Sequence, residues 1–172
     1  MKHIGFTGGS SIRQIGTVAD MVLFFDCLNL FVVSENPREN WKLITERLYK
    51  KYVRLEELVE TCALMERART MFEKIPSSSV NRVSRDSFDS ELYNIDFSVP
   101  ILSDLFAKYF IGFFYCAESS SINYEEFNGN KAYRYEPVMT VITDLPDYMI
   151  ACQRSLEEYD LLRFEDPPFW LR

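Results

Sequence analysis

Histidine is nearly missing from this chain: His3 is the single imidazole in 172 residues. Ser-His-Asp and Cys-His catalysis would both have to take their base from that one residue, close to a chain end, where order is often poor. No G-x-S-x-G elbow surrounds any serine. Histidine-rich zinc sites and the H-x-E…P-C-x-x-C deaminase pattern are excluded on the same ground. C-x-x-C is missing too, since Cys27, Cys62, Cys116 and Cys152 are separated by 35, 54 and 36 positions. Each lies among apolar or aromatic neighbours, which predicts buried, reduced thiols of a cytoplasmic protein and no disulfide framework. Long apolar runs are scarce. The stretch from Val18 to Val33 is interrupted by Asp20, Asp26 and Asn29, and that from Ile101 to Ala117 is short for a bilayer and carries Asp104 and Lys108. Neither a membrane span nor a secretory leader is expected.

One stretch invites a nucleotide-binding reading. "HIGFTGGSS", residues 3 to 11, runs from a short apolar segment into glycines and hydroxyls. A P-loop, however, requires G-x-x-x-x-G-K-[ST], and after Gly9 the chain offers Ser10, Ser11, Ile12 and Arg13. The phosphate-neutralising lysine is absent. Gly5, Gly8 and Gly9 also miss the G-x-G-x-x-G spacing, so Gly8-Gly9 reads as a turn. The adjacent acids Glu125 and Glu126, or Glu157 and Glu158, are nominal candidates for carboxylate catalysis, but such neighbours are common on solvated surfaces. Lys50, Lys51 and Arg54 form the one dense basic group, balanced by Glu46, Glu56 and Glu57, which argues against nucleic-acid binding. Neither cofactor nor metal is expected. A carboxylate-dependent enzyme or small-ligand-binding protein using the Gly-rich loop stands as the alternative reading.

What is present is a packed core: 47% of residues are hydrophobic and 15% aromatic. Residues 1–172 suit a single globular domain. Asn36-Pro37-Arg38-Glu39 reads as a helix start, after which Trp41, Ile44, Leu48 and Tyr52 share a face. Leu58, Cys62, Met65 and Phe72 repeat the pattern over about 54–74, where Pro76 ends it, and the two helices should form a hairpin. Pro76 to Ser90 reads as a surface connection. A third helix, Pro100 to Ala117, carries Ile101, Leu105, Phe106, Tyr109, Phe110, Phe113 and Phe114 and should centre the core. Ile122 to Phe127, the Asn128-Gly129 turn and Tyr133 to Thr143 read as a β-hairpin, with Pro137 predicting an edge strand or a break. Asp144 and Asp147 precede a further helical pattern through Tyr159. The run from Val18 to Val33 fits buried helix and buried strand equally. The expected fold is therefore α+β, one predominantly helical domain with one β-hairpin.

Net charge is −7, and its distribution is uneven: residues 1–75 are nearly balanced, whereas residues 76–172 hold eight basic and sixteen acidic side chains. Such a field repels nucleic acid and anionic membrane and attracts basic proteins. Two stretches combine carboxylates with aromatic anchors. In one, Asp86, Asp89, Glu91 and Asp96 flank Phe88 and Tyr93. The other is the expected hairpin, with Tyr124, Glu125, Glu126, Tyr133 and Tyr135. These eleven residues are the candidate partner-binding set.

An acidic, aromatic-rich chain without catalytic motifs suits a protein that acts by binding another. The stretches "ADMVLFFDCLNLFVVSE" (19–35), "YNIDFSVPILSDLFAKYFIGFFYC" (93–116) and the ending "PPFWLR" resemble immunity proteins of bacterial contact-dependent growth inhibition systems. The resemblance implies a cytoplasmic, non-enzymatic toxin inhibitor that binds the C-terminal domain of a cognate toxin, often a nuclease, with no direct nucleic-acid or membrane contact. It carries over no functional residue by position.

Overall fold

A computed structural model describes residues 3–83, 89–126 and 138–142. Helices predominate around a small antiparallel sheet. Strand β1 (His3–Gly8) pairs with β2 (Ser11–Thr17) through a two-residue turn, Gly9-Ser10. Gly9 takes φ 58° while no non-glycine residue described has positive φ, so glycine occupies the first central position of the turn, as tight hairpins favour. Gly8 answers a different demand: a Cβ there would collide with the Cys116 carbonyl oxygen and lie 2.9 Å from its carbon. The suspected phosphate loop is thus a hairpin turn pressed against a helix backbone. Strand β3 (Met139–Ile142) pairs antiparallel with the other side of β1, giving the order β2-β1-β3.

Thr17 ends the hairpin and caps helix α1 (Val18–Leu28). The run from Val18 to Val33 is therefore helical, continuing as a π-helical turn, Asn29–Val33. A second π-helical segment, Leu43–Leu48, follows, beginning later than the Asn36-Pro37 signal predicts. Asn36 acts there in another way: its side-chain amide donates to the Val32 carbonyl, and its own carbonyl accepts from the Trp41 indole at 2.9 Å. Trp41, Ile44, Leu48 and Tyr52 are buried together, as their spacing requires. Helix α2 (Leu58–Phe72) matches its expected span and stops short of Pro76. The segment after it is less superficial than expected. Ser77–Arg82 forms a 3-10 turn with Ser77 and Val80 buried, tied to the later chain by Ser77 N–H to Pro100 O at 3.0 Å and Leu102 N–H to Ile75 O at 2.9 Å.

The third expected helix breaks at Phe106 into α3 (Leu102–Leu105) and α4 (Ala107–Glu126). Its place in the core is as predicted, with Phe106, Tyr109, Phe110 and Phe113 all buried. Its end is not. Residues 122–126 continue α4, so the described part of the expected strand Ile122 to Phe127 is a helix, and the hairpin among the described residues is β1–β2 near the start of the chain. Ser120 is wholly buried on α4, and the Ser121 hydroxyl donates to the Ala117 carbonyl, so these serines are accommodated inside a helix. Asn128-Gly129 and the helical pattern 144–159 lie outside the described residues. Of the expected strand from Tyr133 to Thr143, the part described is β3, an edge strand of the sheet as Pro137 suggested, paired with β1.

Cys27, Cys62 and Cys116 are free thiols; Cys152 lies outside the described residues. Burial, reinforced by the charge of Asp26, pushes the Cys27 thiol up to about 12. No helix among the described residues is long and apolar enough to cross a membrane.

The two glycines of the turn separate in their expected cost. Gly9→Ala places a side chain at positive φ and should cost about 1 kcal/mol. Gly8→Ala forces β1 off the backbone of α4 and should cost about 1–3 kcal/mol, the larger loss, in urea unfolding.

Candidate functional site

Asp20 joins the hairpin, α1 and the segment after residue 89. Wholly buried, it sits at the third position of α1, where one carboxyl oxygen accepts from Thr17 N–H at 2.8 Å while Asp20 N–H donates to the Thr17 hydroxyl. This reciprocal box satisfies donors that a helix start leaves open. The other carboxyl oxygen accepts from Asn94 N–H at 2.8 Å, across 74 positions of chain. Asp20 therefore fixes the position of Tyr93 and its neighbours relative to α1.

Between these elements lies an open cleft of about 690 Å³. Val22, Leu23, Leu30 and Val83 give it apolar walls; Asp26, Asn29, Ser34, Arg82 and Tyr93 supply its polar groups. Asp26 and Asn29 follow Val22 at helical spacing, so one face of α1 and its π-helical extension forms the floor. Nearby atoms crowd water away from the Asp26 carboxyl although the residue as a whole is exposed, and this raises its pKa above the usual carboxylate value. Tyr93 is half-buried and packs edge-on to Phe97 at 5.8 Å. Its phenol is raised first by burial, then by the charges of Asp26, Asp20, Cys27 and Asp89, in that order. Carboxylates thus bear on the Tyr93 phenol from two parts of the chain, α1 and the N-cap of the 3-10 turn Ser90–Leu92. Arg82 lies 5.4 Å over the Phe31 ring and makes no ion pair with Asp26.

Among the proposed interface residues, Asp89 caps the 3-10 turn Ser90–Leu92 by accepting from Glu91 N–H at 3.0 Å, and Glu91 is exposed beside it. Leu92, 63% exposed, rides the same turn. Asp96 accepts from Ser98 N–H at 2.9 Å, and hydrogen bonds from the Ser98 side chain and backbone hold its pKa below the usual value. Asp89, Glu91 and Asp96 are thus exposed acids of the segment whose Tyr93 lines the cleft. Asp86, Phe88, Tyr133 and Tyr135 lie outside the described residues. Tyr124, Glu125 and Glu126 belong to the last turns of α4, not to a hairpin, and Tyr124 stands fifteen residues, about 22 Å along the helix, from the core residue Tyr109.

Sequence reasoning missed Asp26 and Leu30. The signal was present: Thr17-Val18-Ala19-Asp20 fits the T-x-x-D pattern before an apolar run, and a helix starting there brings Val22, Asp26, Asn29 and Leu30 together. Elsewhere, five cations are engaged with nearby acids. Arg47 meets Glu57 at 3.3 Å, Lys50 meets Glu46 at 2.9 Å, and Arg54 meets Glu56 at 3.3 Å, with Arg67–Glu39 and Arg69 between Glu66 and Glu73 completing the pattern. Asp26, Asp89, Glu91 and Asp96 enter no ion pair among the described residues. No group of three His, Cys, Asp or Glu side chains among those residues is placed to hold a metal ion. Compared with protein-family models, curated proteins and solved structures, the chain matches none.

Two measurements test this account. Asp20→Ala removes the acceptor of two backbone N–H groups and should cost about 2–4 kcal/mol, with faster hydrogen exchange at the Asn94 amide. For Asp26 the folded-state pKa is raised, so the native state holds its proton more tightly than the unfolded chain does. Stability from this group is present below the unfolded value and declines as pH rises through the folded one. Asp26→Asn should therefore raise the melting temperature at pH 7 and flatten its pH dependence across the acidic range. An unchanged profile would mean that the carboxyl is fully hydrated.

Proposed function

We propose that the protein is an immunity protein, a non-enzymatic inhibitor that binds the C-terminal domain of a cognate bacterial toxin and neutralises it stoichiometrically in the cytoplasm. The observation that carries this reading is the separation of charge. Glu39, Glu46, Glu56, Glu57, Glu66 and Glu73 each meet a neighbouring cation, whereas Asp26, which lines the cleft, and Asp89, Glu91 and Asp96, on the segment that supplies its Tyr93, enter no ion pair among the described residues. Unmatched surface carboxylates steer a basic partner and give it charge to pair with on arrival. A basic nuclease fits as the target, because carboxylates can occupy the positive cleft that otherwise receives phosphates. The sequence resemblance supports the same reading. The alternative use of the Gly-rich loop loses its motivation, since Gly9 serves the hairpin turn and Gly8 the contact with α4.

The test is co-expression with the C-terminal domain of a large toxin reading frame beside this gene. Rescue of growth together with a stable complex is expected; rescue without a complex would sink the binding mechanism. In that complex, reversing Asp89, Glu91 and Asp96 to Lys should slow association about tenfold or more at low salt and weaken its salt dependence. Reversing Glu125 and Glu126 tests the second patch separately. If neither set changes the association rate while the variants remain folded, the interface lies elsewhere.

A further inference from the structure

We infer that the cleft between α1 and Tyr93 is a receptor for one arginine side chain of the partner. This rests on the proposed binding function and adds the chemistry of its anchor. The cleft has the three surfaces such a side chain needs. Val22, Leu23, Leu30 and Val83 flank the aliphatic stem. Tyr93, immobilised against Phe97 and held by the Asn94–Asp20 hydrogen bond, presents an aromatic ring. Asp26 supplies the carboxylate, with the Asn29 and Ser34 side chains as further polar groups on the same wall.

Arginine suits this arrangement better than lysine. Its planar guanidinium stacks on an aromatic face and pairs with a carboxylate through two parallel N–H bonds, and it leaves water more readily than an ammonium. The partial desolvation of Asp26 makes such a pair stronger than one on the open surface. The volume of about 690 Å³ exceeds one side chain, leaving room for the flanking backbone of the partner. Arg82 lies on the Phe31 ring and leaves Asp26 without an ion pair among the described residues. The surrounding Asp89 and Glu91 then act as a rim that attracts a cation, while the cleft selects its shape.

The experiment is a titration of the full isotopically labelled chain, followed by amide NMR, with the blocked peptide acetyl-Gly-Arg-Gly-amide. The same peptide carrying lysine, and one carrying the uncharged isostere citrulline, are the controls. Saturable shifts confined to residues 22–34, 82–83 and 93 are expected for the arginine peptide, with affinity about tenfold above that of the lysine peptide and none for citrulline. Asp26→Asn and Tyr93→Leu should each weaken the arginine peptide about tenfold while the remaining spectrum is unchanged. Equal responses to all three peptides, shifts elsewhere, or retention of binding in both variants would overturn the inference. So would a change in the Asp26 titration on Arg82→Ala, which would identify the chain's own arginine as the occupant. Arginine binding without any toxin complex would leave the receptor standing and remove the immunity function. A tight toxin complex indifferent to Asp26→Asn would do the reverse.

Discussion

Phe24 holds this molecule together. Its ring is wholly buried, stacks on Tyr109 at 4.5 Å, and meets Phe25, Phe72, Phe106 and Phe110 edge-on at centroid distances of 5.2 to 6.2 Å. Those partners come from α1 itself, α2, the break after α3, and α4, so one side chain lies where the long helices among the described residues converge. Tyr109 passes the contact on to the sheet through Phe6 at 6.4 Å. Aromatic pairs in such offset and edge-on arrangements add roughly 0.5–1.5 kcal/mol each beyond area burial. Their summed geometry also fixes the rotation of α1, because Phe24 points inward only if Asp26 and Asn29 point out. The core therefore determines which face of α1 becomes the floor of the cleft.

Asp20 performs the complementary task on the polar side. A buried carboxyl without partners is costly, so the three hydrogen bonds of Asp20, two accepted by its carboxyl and one donated by its backbone N–H, are a condition of the fold. Two of them are local and start a helix. The third reaches a segment that has little regular structure beyond the Ser90–Leu92 turn, and a chain of that kind keeps a defined surface only when something rigid grips it. The aromatic pair Tyr93–Phe97 and the Asp20–Asn94 bond provide that grip from two directions.

How far the sequence disclosed this depends on where the determining contacts are. The aromatic stripe of 100–117, the buried face of Trp41, Ile44, Leu48 and Tyr52, and helix α2 were legible, because each follows from a period of 3.6 and a nearby stop signal. The strand reading failed over 122–126 because it gave weight to Asn128-Gly129, a local turn signal, over the continuity of α4. The apolar run from Val18 to Val33 was ambiguous because apolar residues fill most of its positions and blur the period; the capping residues Thr17 and Asp20 held the answer. The glycines at 8 and 9 misled as chemistry because their use is tertiary: no local pattern reveals that the carbonyl of Cys116 lies against Gly8. Of the candidate site, the acidic surface at 89–96 was readable as composition. Its cleft was not, since Asp26 and Tyr93 are 67 positions apart and meet only after the core has set α1.

Asp26 then marks where folding and binding place opposite demands on one side chain. Folding favours either full hydration or an ion pair, and among the described residues Asp26 has neither, since Arg82, which also lines the cleft, lies over the Phe31 ring. A carboxylate with water partly excluded raises the energy of the free protein. In a complex the same exclusion favours binding, because much of the desolvation that an incoming cation would require of its partner has already occurred during folding. The ring of Tyr93 and the aliphatic walls contribute in the same sense, being held in place before any partner arrives. Exposed acids such as Glu91 differ in kind: fully hydrated, they lose as much water as they gain in charge pairing, so they act mainly on the rate of encounter. Rate and residence are thus assigned to different carboxylates by burial alone, with the rim steering the approach and the cleft resisting departure.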